Sequence, residues 1–154
     1  MKKAYYLIPI AIALVTPSLI IFCLEVFVGG GSPLAASADI ARRQFAPGDN
    51  LFFLAALGFI PFAVLLALLK VASTRMPPRR VYALLAGGLA GILALMVTTH
   101  VMVWYPMYGP GHMSSTSVIA FLFIPFYCIP TMFVGLAIAW LVSRTSWFQG
   151  EPEA

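Results

Sequence analysis

Residues 51–71 read LFFLAALGFIPFAVLLALLKV: nineteen positions without a charge, then Lys70 near the far end. An α-helix needs about 20 such residues to cross a hydrocarbon core of about 30 Å. Three more stretches have the same character, at Ala4–Val28, Val81–Tyr105 and Val118–Val142. Together they use most of the 154 residues, of which 62% are hydrophobic and only 9% charged. A water-soluble domain carries roughly 25% charged residues. The pattern predicts an all-α membrane protein, a bundle of four transmembrane helices forming a single integral membrane domain over residues 1–154.

The cations give a direction. Lys2 and Lys3 precede the first span, Lys70, Arg75, Arg79 and Arg80 flank the second connection, and Arg144 follows the fourth span. The first connection, residues 29–50, holds Arg42 and Arg43 beside Asp39 and Asp49, and residues 106–117 hold no Lys or Arg. The positive-inside rule then predicts both termini cytoplasmic (N-in/C-in) in a bacterial inner membrane. The net charge of +4 is spread over loop ends. It forms no basic face of the kind that binds nucleic acid. The first apolar run is longer than the 7–15 residues of a signal-peptide core, so no cleavage is expected after Ala36-Ser37-Ala38.

Prolines mark spans one, two and four as kinked: Pro17, Pro61, and the pair Pro125 and Pro130. Thr16 and Ser18 are placed to satisfy the backbone that Pro17 frees. Within the first connection, Gly29–Pro33 reads as a breaker, and Ser37 is expected to cap a short interfacial helix over Ala38–Phe45. Asp39 and Arg43 are spaced to pair there, and Ile40, Ala41 and Phe45 are expected on the bilayer surface. Phe59-Ile60-Pro61-Phe62 recurs as Phe123-Ile124-Pro125-Phe126, an echo that a duplicated two-helix unit would leave.

The strongest packing signal is a row of small residues in the third span. Ala83, Gly87 and Gly91, followed by Ala94 and Thr98, let two helix backbones approach closely, either within the chain or with a partner. Polar groups near the spans are few, and each needs a reason. Glu25 and His100 fall toward the outer face, with His112 in the third connection, and form a candidate polar site; Glu25 is expected at the interface, facing water or Arg42 and Arg43. Tyr127 and Thr131, one turn apart, are expected to make buried contacts with carbonyls freed by Pro125 or Pro130. Met96, His100, Met107 and His112 are the nearest approach to a soft-metal set, without diagnostic ligand spacing. The free cysteines Cys23 and Cys128 lie apart in apolar spans, so neither a disulfide nor dithiol chemistry is expected.

No span contains paired acids, a nucleophile with its base, or a phosphate-binding loop, so no enzyme and no cofactor is expected. The expected role is that of a non-enzymatic protein whose partners are the lipid bilayer and another membrane protein or a second copy. That describes an accessory subunit, or an immunity-type protein against a membrane-active toxin. The alternatives are an oligomeric channel or transporter that uses Glu25 and His100, and a copper- or haem-binding membrane protein.

Overall fold

A computed structural model describes residues 4–47, 50–110 and 117–144, and the described residues are mainly helical. In chain order the helices are α1 (Ala4–Phe27), α2 (Pro33–Arg43), α3 (Leu51–Ala72), α4 (Pro78–Tyr108) and α5 (Ser117–Val142). All except α2 are long and apolar enough to cross a membrane. The chain is therefore all-helical with the character of an integral membrane protein.

The longest shared face lies between α4 and α5; α1 packs on α3 and α4, and α3 also touches α4 and α5. Phe62, Leu65, Leu69, Ile92, Met96 and Met132 fill the centre. Leu14, Val15, Leu19, Phe123, Val134 and Ile138 face outward, and outward apolar side chains suit a hydrocarbon solvent.

Helix ends follow local chemistry. Asn50 caps α3, its side chain accepting from the Phe53 amide at 2.8 Å. Pro78 opens α4, where a missing amide hydrogen costs nothing. Ser73 and Thr74 turn their hydroxyls onto the Lys70 and Val71 carbonyls to close the α3 end. The Arg144 guanidinium lies 3.7 Å from the centre of the Trp140 ring just after α5.

Two boundaries differ from the sequence reading. The short helix begins at Pro33 rather than Ala38, because Ser32 caps it and Pro33 supplies a preset first turn. Ser37 sits inside that helix and donates to the Pro33 carbonyl at 2.8 Å. The chain enters α2 through Gly30, whose φ of +68° is open to glycine at little cost. Helix α4 also runs past Pro106 to Tyr108 instead of stopping at Tyr105.

α2 turns back along α1. Gln44, just past its last turn, donates from Nε2 to Ser18 Oγ at 3.0 Å. Neither hydroxyl serves the Ala13 carbonyl that Pro17 frees: Ser18 is engaged by Gln44, and Thr16 donates to the Ile12 carbonyl at 2.6 Å. Ile40 turns toward the core instead of outward. Phe45 stacks on Phe52 at 5.5 Å, joining the end of this segment to the start of α3.

The repeated Phe-Ile-Pro-Phe segment occupies unlike environments. Phe62 is completely buried, whereas its counterpart Phe126 is 56% exposed. Both prolines are buried.

Candidate functional site

Two regions collect the residues singled out by sequence. The first is the α4–α5 seam. Gly87 faces Gly135 and Ala139, and Gly91 faces the Thr131 carbonyl and Met132. A methyl group added at Gly87, Gly91 or Gly135 would overlap the facing helix backbone. The seam is thus a backbone-to-backbone contact, drawn in by small residues on both sides. Cys128 adds a buried tie, its Sγ 3.8 Å from the Ile92 carbonyl.

Gly87 and Gly91 spend their close-packing capacity inside the chain. Their α5 counterpart, Gly135-x-x-x-Ala139, was readable in the sequence as a second small-residue pair. Beside the closed seam runs an open groove of about 580 Å³, lined on α4 by Ala83, Ala86, Ala90 and Ala94 and on α5 by Val134 and Ile138. Ala86, Ala90, Ala94 and Thr98 repeat every four residues and are all exposed. This row lies one position before the glycines, on the outward side. A second apolar groove, of about 650 Å³, lies between α1 and α4 and includes Val15, Leu19, Cys23, Val97 and Val101.

The second region is the end of the helices that holds Glu25 and Tyr108. His100 is buried, and its Nδ1 lies 2.8 Å from the Met96 carbonyl. A carbonyl only accepts, so Nδ1 carries the proton and Nε2 is the nitrogen left for any other partner. The imidazole packs 5.3 Å from the Phe121 ring, which in turn sits 5.4 Å from Trp104. Trp104 is buried, and its indole N–H finds no acceptor among the described residues.

Glu25 is partly buried, and its Oε2 is enclosed without a hydrogen-bond partner among the described residues. The sequence placed Glu25 toward water or toward Arg42 and Arg43. Those arginines instead reach Asp39, Arg43 Nε at 2.6 Å and Arg42 at 3.7 Å, because all three share one short helix. Glu25 and His100 share no ion pair or hydrogen bond among the described residues. Gly29, two residues past α1, lies between the Glu25 backbone and the Tyr108 ring.

The remaining candidates separate. Tyr127 is 63% exposed, so it is no buried polar contact; the turn of α5 that buries Cys128 turns its neighbour outward. Thr131 is partly buried and donates to the Cys128 carbonyl at 3.0 Å, which is not one of those freed by the prolines. Met96 is buried beside Gly58 of α3, whereas Met107 is 46% exposed. The distance from Gly58 back to Leu51 is about 10 Å of helix, so α3 starts too low to cover the last turns of α4. His112 lies outside the described residues. No three His, Cys, Asp or Glu side chains converge among the described residues.

The enclosed carboxylate gives a direct expectation. Glu25→Gln removes a charge that no ion pair in the described residues balances, so the variant should reach the membrane and keep its thermal midpoint in detergent to within about 2 °C. Loss of the folded protein from the membrane fraction would mean that the carboxylate makes a required contact. Comparisons with protein-family models, with curated proteins and with solved structures find no match to this chain.

Proposed function

We propose that this chain is a non-enzymatic partner protein of a bacterial inner membrane, an accessory subunit or immunity-type protein that works by holding a helix of another membrane protein. In this reading it forms a four-helix bundle with both termini in the cytoplasm, where the positive-inside rule puts seven of its nine Lys and Arg residues.

The observation that carries the reading is the exposed row Ala86, Ala90, Ala94 beside Val134 and Ile138. Between helices in lipid, burial of apolar surface drives little, because lipid tails are equally apolar. Association comes from close packing, and small side chains let a second helix approach to backbone contact. Gly87 and Gly91 complete this chain's own fold, and the alanine row one position away remains open for an incoming helix. The accessible side chains of the groove are apolar, so specificity comes from shape.

The test is capture from native membranes in mild detergent with the tagged protein, read by mass spectrometry, comparing wild type with Ala90→Leu. Ala90 is exposed, so leucine there fills the groove without entering the core. One stoichiometric membrane protein should accompany the wild type and fall at least tenfold with Ala90→Leu, at an unchanged thermal midpoint. A tenfold loss corresponds to about 1.4 kcal/mol. Capture that ignores Ala90→Leu removes the groove from the reading. A homo-oligomer with no foreign partner replaces it with the channel or transporter alternative, with Glu25 and His100 as the next residues to alter.

A further inference from the structure

α2 is built inside out for a helix in water. Its exposed apolar stripe is Leu34, Ala38 and Ala41, continued by Phe45 just past the helix and flanked by the exposed Ser37 and Arg42; Leu34 is 83% and Phe45 73% exposed. Asp39 and Arg43, the closely paired charges, are turned inward and partly buried, together with Ile40 and the fully buried Ala36. A helix lying on a surface in water would present the opposite faces.

Its depth follows from α1. From Ala4 to Ser18 a helix rises only about 21 Å, short of the roughly 30 Å that a hydrocarbon core requires. The core must therefore extend to about Leu24. The hydrogen bond from Gln44 to Ser18 then brings the far end of α2 roughly 9 Å below that boundary. The exposed apolar side chains of its neighbours, Phe27 of α1 and Phe52 and Phe53 of α3, extend the same surface.

We infer that α2 is a re-entrant helix immersed in the leaflet at the Glu25 end of the molecule, with Leu34, Ala38, Ala41 and Phe45 in contact with lipid acyl chains. Its ion pair is partly buried. Arg42, exposed and 3.7 Å from Asp39, has a stem long enough to carry its guanidinium toward the headgroups. This inference is independent of the partner groove on α4 and α5, which lies on other helices.

Spin labels at position 38 or 41 in liposomes test it, in a chain whose Cys23 and Cys128 are replaced by alanine, with a label at the exposed Val15 of α1 as the lipid-facing reference. Collision with oxygen should exceed collision with a water-soluble nickel chelate several-fold at both sites, as at Val15, and the depth should be greater at 41 than at 38. Nickel dominance would put α2 in water and overturn the inference. Low values for both probes would put it under protein and overturn it equally. The unaltered protein supplies a second reading: a phospholipid carrying a photoactivatable group in its acyl chain should leave adducts within residues 34–45. Adducts on α1 and α3 with none on α2 would also overturn the inference.

Discussion

Gly91→Leu should strongly destabilise the folded state in detergent. Gly91 meets the Thr131 carbonyl and Met132 with no side chain between the two backbones. A leucine has no rotamer that escapes, since the overlap begins at its first carbon. The α4–α5 face would have to part, and that is the longest contact in the fold. Overpacking typically costs about 1–3 kcal/mol, and a backbone that cannot yield belongs at or above the upper end of that range. The check is the thermal midpoint and the monodisperse fraction by size-exclusion chromatography, set against Gly58→Ala. At Gly58 an added methyl meets only Met96 Cε at 3.5 Å, an ordinary contact. Alanine also favours helix over glycine by up to about 1 kcal/mol. Gly58→Ala should therefore be neutral or stabilising. Equal behaviour of the two variants would show that the seam is looser than its geometry requires.

Phe62→Ala should cost about 2–4 kcal/mol, somewhat below the value for a soluble core. Phe62 is the largest completely buried side chain among the described residues. When the reference state is a helix in lipid, the transfer term nearly vanishes, and the loss is that of the packing contacts around the cavity. Phe126→Ala, at the matching place of the repeated tetrapeptide, should change stability by less than about 0.5 kcal/mol. Unfolding in mixed micelles of increasing denaturing-detergent content measures both. Similar costs at the two positions would contradict the burial difference between them.

What the sequence showed and what it hid have different physical origins. Length and hydropathy are properties of a segment, so four membrane-length helices could be read from Leu51–Val71 and its three companions. The small-residue row at Gly87 and Gly91 could also be read, because close approach needs small side chains wherever the partner lies. Which partner it was could not be read, since that depends on α5 presenting Gly135 and Ala139 at the same level. Rotation was hidden for a related reason. Outward and inward faces are both apolar in lipid, so Tyr127 gave no sign that it points away from the helices while Cys128 points in. Glu25 was placed correctly near a helix end, but its pairing with Arg42 or Arg43 lost to Asp39, which lies one turn away on the same helix.

The length of α4 has a consequence for the membrane itself. Its apolar part, Val81–Tyr105, rises about 36 Å, whereas α1 provides only about 30 Å between Leu7 and Phe27. To bring 36 Å within a 30 Å core, α4 must lean by about 35°, or the bilayer must thicken around it. Because α5 is fastened to α4 along the glycine seam, the two helices lean as one body. The tilt of the open alanine row is then set by the local thickness of the membrane, so that lipid composition becomes a control on which helices can lie against it.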